Sequence, residues 1–326
     1  MHGQSGPRVD VHLPPDVLAQ SLRDDVRHGL DRAPRELPPK WFYDERGCDL
    51  FDEITRLPEY YPTRREREIL AREAAAIVRL TGADTLVELG SGTSEKTRLL
   101  LDAMTAAGAL RRIVAFDVSE PTIRLAVTAL AREYPGTEVH GVVGDFDHHL
   151  GLLPTGGRRL VAFLGSTIGN LRPAQRKRFL ADAASQMAPG ESFLLGTDLV
   201  KDAARLEAAY DDAAGVTAAF NRNVLTVLNR ELGADFDVTQ FDHSARFDAA
   251  EEWIELGLRS RKAQTVHIPD PGLTIELAAG ETVVTEISTK FRRRSVEAEL
   301  AGAGLRPAEW WTDEGGDFGL SLSFAG

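Results

Sequence analysis

Val87-Glu88-Leu89-Gly90-Ser91-Gly92-Thr93-Ser94 leaves an apolar run, Thr85 to Leu89, and enters a stretch of helical periodicity, Glu95 to Ala106. Glycines at such a strand-to-helix turn let the backbone approach a ligand closely. The first N–H groups of the helix have no intrahelical partner, so the turn suits an anion. A dinucleotide-binding loop has a third glycine for pyrophosphate. This chain has Ser94 there, with Lys96 two residues on, and a carboxylate is the better-matched anion. A purely structural tight turn is the other reading of the motif taken alone.

Around the loop, strand-like and helix-like stretches alternate. Arg112 to Phe116, Glu138 to Val143, Arg159 to Leu164 and Ser192 to Gly196 read as strands; Pro121 to Tyr134 and Pro173 to Met187 read as helices. Strands separated by helices predict right-handed crossovers and a parallel sheet covered on both faces. Near the end, a short helix (Val296 to Ala303) precedes two β-rich runs, Pro307 to Thr312 and Phe318 to Phe324, with Glu314-Gly315-Gly316 as the turn. A parallel sheet closed by an antiparallel hairpin resembles the Rossmann-like α/β sandwich of class I S-adenosylmethionine (SAM) methyltransferases more than a dehydrogenase.

About 90 residues separate the strand near Gly196 from the terminal helix, more than one crossover needs, so they predict an insertion. Asp202 to Leu232 looks helical. Trp253 to Leu277 breaks into β-like pieces (WIELGLRS, AQTVHI, LTIEL) around Pro269 and Pro271. The expected organisation is a flexible lead (1–17), an α+β substrate-binding lid (18–65 and 201–290) and a SAM-binding domain (66–200 and 291–326). The helix at Arg64 to Leu80, apolar at Ile69, Leu70, Ala74, Ile77 and Val78, should pack on the sheet.

Composition excludes several classes. A formal charge of −12 over 326 residues, with basic runs only at Arg64-Arg65, Arg111-Arg112 and Arg292 to Arg294, argues against a nucleic-acid partner. With 43% hydrophobic and 27% charged residues the chain is globular rather than disordered. The longest clean apolar run, Leu160 to Leu164, is too short for a membrane span, and Met1 to Asp10 has no signal-peptide character. A cytoplasmic monomer is expected. One cysteine, Cys48, reads as a small core or interface residue and leaves no disulfide pair or thiolate cluster. His148 and His149 are adjacent and lack metal-ligand spacing, so no metal is expected.

Three further motifs fall just after strands, where ligands of open α/β sheets bind. Asp117, 25 residues after Gly92, suits ribose hydroxyls, of SAM or of NAD alike. Asp145-Phe146 stands where methyltransferases hold the adenine amino group, or serves as a turn. In Gly165-Ser166-Thr167-Ile168-Gly169-Asn170, Asn170 suits a substrate carboxylate or simply forms the loop.

Phe42 to Arg64 (FYDERGCDLFDEITRLPEYYPTR), followed in order by VELGSGTSEKT, GDF, GSTIGN and TEISTKF, resembles the histidine-specific SAM-dependent methyltransferase family of ergothioneine biosynthesis over nearly the whole chain. The resemblance implies trimethylation of the α-amino group of L-histidine to hercynine, with SAM as methyl donor and S-adenosylhomocysteine as product. It assigns SAM contacts to Gly90, Lys96, Asp117, Asp145 and Phe146, the histidine carboxylate to Asn170 and Tyr210, and the imidazole to Glu286 and Ser288. Tyr60 would touch the ring side through water. Tyr43, Gly165 and Thr217 would lie around the amino group, with Tyr43, or water near it and Gly165, as proton acceptor; Tyr43 or Phe51 would face the quaternary product. If Glu286 and Ser288 share an extended segment they project to one face. Read singly, Glu286 could pair with Lys290 at the surface and Ser288 could be a cap. Leu256 replaces a methionine expected in some relatives. The rival readings are a same-fold methyltransferase of another amino acid or aromatic amine, a nucleotide-dependent oxidoreductase, and a non-catalytic binder.

Overall fold

The computed structural model describes residues 7–326. Two compact units share the chain: residues 1–13, 62–200 and 291–326 in the first, 14–61 and 201–290 in the second.

Numbered along the whole chain, the first unit contains β1 (Arg8–Val11), α3 (Pro62–Thr81), β3 (Thr85–Leu89), α4 (Arg98–Ala106), β4 (Arg112–Asp117), α5 (Glu120–Glu133), β5 (Glu138–Val143), β6 (Arg159–Phe163), α6 (Pro173–Ser185), β7 (Ser192–Asp198), α9 (Arg293–Gly302), β13 (Leu305–Thr312) and β14 (Phe318–Ala325). Its eight strands run in the order β1-β5-β4-β3-β6-β7-β14-β13. All neighbours from β1 to β7 pair in parallel, and the β13–β14 hairpin adds antiparallel to β7. This is the class I methyltransferase sandwich.

Alternation along the strands builds a core on each face. Leu86, Ile113 and Ala115 face one layer with Ile69, Leu70 and Ile77 of α3. Val87, Leu89, Val114 and Phe116 face the other with Phe179 and Leu180 of α6.

Three expectations are corrected here. Within the lead of 1–17 the described residues are not a flexible arm: Arg8–Val11 pairs in parallel with β5 as an edge strand of the sheet, and His140 Nε2 lies 2.9 Å from Asp10 Oδ2. Residues 1–6 of that lead lie outside the described residues. The helix after the glycine loop starts at Arg98, not Glu95, because Ser94 sits at φ +55° and turns the chain once more. The boundary placed at 65/66 falls inside α3, which belongs wholly to the first unit.

The second unit contains α1 (Pro15–Leu30), β2 (Arg35–Glu36), α2 (Glu45–Arg56), α7 (Ala203–Tyr210), α8 (Val216–Leu232), β8 (Phe241–Asp248), β9 (Trp253–Ser260), β10 (Gln264–Ile268), β11 (Leu273–Leu277) and β12 (Thr282–Thr289). A four-stranded sheet has the order β2-β12-β9-β8, and β10–β11 is a separate hairpin. Phe220, Leu225 and Leu228 of α8 pack with Ile254, Leu256 and Leu258 of β9 and with Phe42. The unit is α+β. The helical stretch expected over Asp202 to Leu232 is two helices, because Gly215 at φ +75° interrupts it. Strand β8 (FDHSARFD) has too few apolar residues to announce itself, yet its ladder to β9 spans all eight positions.

Among the described residues no helix is long and apolar enough to cross a membrane, and no group of three or more His, Cys, Asp or Glu side chains is placed to hold a metal ion.

Candidate active site

In the first unit the expected residues gather past the carboxyl ends of four adjacent strands, β5, β4, β3 and β6. Gly90 (φ +65°) and Gly92 (φ +49°) take left-handed conformations that side chains disfavour. Asp117 ties this loop to β4: its Oδ2 accepts the Gly92 N–H at 2.9 Å and its Oδ1 the Ser119 N–H at 3.1 Å. Burial pushes its carboxyl above the usual range, against the pull of these backbone donors. Asp145 Oδ1 accepts the Asp147 N–H at 2.9 Å. The Phe146 ring stacks on Phe116 at 5.5 Å and meets Phe163 edge-on at 5.3 Å, and a Cβ on Gly90 would touch it.

Glu66 on α3, invisible in the sequence among the charges of TRREREI, organises the next part. Fully buried, its carboxylate accepts the Gly165 N–H at 2.8 Å and pairs with Lys96. The Gly165 N–H is therefore committed to this carboxylate. Asn170 ends the short turn Thr167–Asn170, half-buried.

This loop cluster fits a polar ligand. Among the described residues Ser91 Oγ is buried without a hydrogen-bond partner, and Glu88 Oε2 and Ser94 Oγ have none of good geometry beyond their approach to each other, a concentration of unmet polar atoms that native cores avoid. Burial pushes Glu88 up to about 7, against the Thr97 hydroxyl and the Lys96 charge. Gly92 would admit a Cβ without contact, so the space in front of the loop is open. An amino acid head group joined to a nucleoside, as in SAM, matches this set.

In the second unit Glu286 and Ser288 alternate on β12 and share one face, as their spacing requires. Ser288 Oγ lies 2.8 Å from the hydroxyl of Tyr210, the last residue of α7. Lys290, 1% exposed, donates to Ser288 Oγ at 2.9 Å and to Tyr210 Oη at 2.8 Å. Glu286 is pushed up to about 7 by burial, and the Lys290 charge opposes the shift. The alternative reading of Glu286 alone made Lys290 its surface partner. Lys290 is buried rather than at the surface, and it donates to Ser288 and Tyr210. Leu256 lies opposite Glu286 in the ladder, buried.

Behind this face runs a second chain of contacts. Asn221 Nδ2 donates to His243 Nδ1 at 2.8 Å and to the Gly257 carbonyl at 3.1 Å, while its Oδ1 accepts from Thr285 Oγ1 at 2.7 Å. His243 Nε2 donates to the Tyr210 carbonyl at 2.8 Å. Burial holds the His243 pKa down, so a neutral ring with this tautomer fits both bonds. The network ties α7, α8 and the β12 bulge next to Glu286 together.

Tyr60 meets Tyr210 edge-on at 6.0 Å and Phe51 at 6.3 Å. Tyr43 packs against Phe51 and Phe220, each at 5.6 Å. Thr217, in the first turn of α8, is buried and its Oγ1 has no hydrogen-bond partner among the described residues. Cys48 is half-buried, with Sγ 3.7 Å from the Tyr43 carbonyl.

Residues 22–325 match the family described as histidine-specific, SAM-dependent methyltransferases. The chain belongs to this family. It is 61% identical to the histidine N-alpha-methyltransferase of Mycolicibacterium smegmatis, over 96% of this chain and 97% of that protein. It is 59% identical to the enzyme of the same name in Mycobacterium tuberculosis, over 97% and 99%. Ergothioneine biosynthesis protein 1 of Neurospora crassa is 29% identical over 96% of this chain and 35% of its own length. Glu66, Lys290 and the Asn221–His243 pair, which contact the candidate residues Gly165, Lys96, Ser288 and Tyr210, are the ones that sequence reasoning missed in this histidine-specific methyltransferase. Only Lys290, inside TEISTKF, had a signal there.

Proposed function

We propose that this methyltransferase transfers three methyl groups from SAM to the α-amino group of L-histidine, giving hercynine, within ergothioneine biosynthesis. The observation that carries the choice of substrate is the pair Glu286 and Ser288 on one face of β12, an acceptor and a hydroxyl spaced for the two nitrogens of an imidazole. A site built to fill both bonds penalises amino acids lacking either. The first unit would bind SAM and the second the substrate.

SAM brings a methyl group already activated on a sulfonium sulfur. The chain's own work is therefore alignment and the removal of one proton from the amine before each transfer. Lys96 and the Gly90 loop would hold the methionyl carboxylate, Asp117 the ribose hydroxyls, Asp145 the adenine amino group and Phe146 the adenine face. Glu286 and Ser288 would hold the imidazole, with Tyr60 on its water-bridged side, and Asn170 and Tyr210 would bind the substrate carboxylate. Around the amino group would stand Tyr43, the Gly165 carbonyl and the buried Thr217 hydroxyl. The Tyr43 hydroxyl, or water beside it, accepts the proton. We further propose a monomer working in the cytoplasm without nucleic-acid or membrane partners, and the charge of −12 supports the first of those exclusions.

Mass spectrometry after incubation with SAM and each of the twenty amino acids tests this. Three methyl groups gained on histidine alone is the expected result. Methylation of another amine would retain the SAM assignment and discard that of Glu286 and Ser288.

A further inference from the structure

His243 on β8 has its side chain 2% exposed, and both of its ring nitrogens are engaged. Two backbone carbonyls fix which nitrogen carries the proton. The Tyr210 carbonyl, 2.8 Å from Nε2, can only accept, so Nε2 is the donor. The Gly257 carbonyl, 3.1 Å from Asn221 Nδ2, turns that amide N–H2 toward itself and toward His243 Nδ1 at 2.8 Å, which must therefore be bare. Flipping the amide would set its oxygen against the Gly257 carbonyl.

The ring stands beside the turn between two helices. Helix α7 ends at Tyr210, and the last carbonyls of a helix have no partner within it; His243 supplies one to Tyr210. Helix α8 begins at Val216, where the Asp212 carboxylate accepts the N–H of Val216 at 2.9 Å and that of Thr217 at 2.7 Å. Asn221, fully buried, follows Thr217 by about one helical turn on the same face and meets the other nitrogen of the ring.

We propose that His243 is a positioning residue for substrate recognition: as the neutral Nε2–H tautomer it joins the Tyr210 carbonyl to Asn221 of α8, and so holds the Tyr210 side chain where it binds the α-carboxylate of the amino acid. This rests on the assignment of Tyr210 to that carboxylate. His243 acts through Tyr210 and needs no contact of its own with the substrate. A second proton on the ring would set Nδ1–H against the Asn221 amide, donor to donor, and release the turn. Burial opposes that proton, as does Arg222 on α8; Asp211 and Asp212 in the turn favour it, and β9 places Leu258 opposite.

Calorimetric titration of the whole protein in the presence of S-adenosylhomocysteine tests this, with L-histidine and with histamine, which keeps the ring and the amine and lacks the carboxylate. Wild type should bind histidine at least about tenfold more tightly, the worth of a charge-assisted hydrogen bond. His243→Leu should cut that ratio at least about fivefold, because the donor to the Tyr210 carbonyl is gone. His243→Gln, whose amide N–H2 reaches as far as Nε2, should restore most of it; His243→Asn, one methylene shorter, should not. Combined with Tyr210→Phe, His243→Leu should lower the ratio no further than Tyr210→Phe alone, since both act through one side chain. If His243→Leu weakens both ligands by the same factor, only structure has been lost and the proposal is overturned. Rescue by His243→Asn equal to that by His243→Gln also overturns it. Wild type that binds the two ligands equally overturns the carboxylate assignment of Tyr210, and the proposal with it.

A measurement on unaltered protein checks the ring directly. In protein carrying 15N-labelled histidine, the His243 signals, assigned by their absence from His243→Gln, should show a protonated Nε2 and a bare, hydrogen-bonded Nδ1 at neutral pH. The opposite tautomer or an imidazolium pattern overturns the proposal.

Discussion

Gly196 in β7 should tolerate nothing larger, for a reason that connects sheet packing to the SAM loop. A Cβ there would overlap Glu66 Oε1 and lie 3.2 Å from both Glu66 Cδ and Phe318 Cε1. Phe318 is fully buried in the core, so the carboxylate is what must give way, by about an ångström. That carboxylate holds the Gly165 N–H at 2.8 Å and pairs with Lys96. Charge-assisted hydrogen bonds contribute about 1.5 to 3 kcal/mol each, and breaking one side of a buried pair costs about 3 to 5. Gly196→Ala should therefore destabilise by roughly 3 to 5 kcal/mol, a fall in Tm on the order of 10 °C for a unit of this size. Calorimetric titration should show SAM affinity at least about tenfold weaker, because Lys96 loses its anchor. Glu66→Ala makes room for the Cβ, so the two changes should couple by about 2 kcal/mol in a double-mutant cycle. Strict additivity, or an effect of Gly196→Ala below about 0.5 kcal/mol, would refute the claim that β7 and the loop are joined through this carboxylate.

Three other outcomes are expected. Glu286, pushed up to about 7, must be ionised to accept a ring N–H, so histidine turnover should fall with acidity more steeply by one proton in wild type than in Glu286→Gln; equal slopes of log kcat/KM below pH 6 would contradict this. Glu88, also raised to about 7 from 4.5, gives stability that is fully present below 4.5 and lost as pH rises through 7. At about 1.4 kcal/mol per unit, Glu88→Gln should gain roughly 2 to 3 kcal/mol relative to wild type between pH 4.5 and 8, read by denaturant unfolding, while binding SAM more weakly. Asn221→Ala leaves His243 Nδ1 without its donor and Thr285 Oγ1 with only the 3.2 Å bond to the Leu256 carbonyl; a loss of about 1 to 3 kcal/mol and a raised KM for histidine are expected, and a melt unchanged from wild type would show that the network does not contribute to stability.

Period and punctuation made the sheet legible from sequence. Buried parallel strands read as continuous apolar runs, helices as 3.6-residue stripes, and the loop of Gly90 and Gly92 as a backbone that only glycine accommodates cheaply. The antiparallel closure was legible because Glu314-Gly315-Gly316 is a local turn signal between two β-rich runs. What escaped was pairing at long range. Arg8–Val11 has no pattern of its own that demands a strand, and β8 has little apolar content. Their ladders to β5 and β9 make them strands, and such non-local bonds leave no local trace.

The residues proposed to face a ligand stand inside motifs and were named from sequence: Asp117, Asp145, Asn170, Glu286 and Ser288 lie at element ends or alternate strand positions. Those that hold them in place were not. Glu66 reads as one more charge on an exposed helix until α3 buries it under Gly165 and Lys96. Lys290 reads as a solvated cation until the fold closes Tyr210 and Ser288 around it. Sequence by itself determined most of the element types, the candidate positions for ligand contact and, through its motifs, the family. Tertiary structure alone decided which charges are buried, and so which carboxyls are pushed above their usual range. Desolvation and hydrogen-bond partnership depend on neighbours brought together from distant parts of the chain, and local sequence does not encode them.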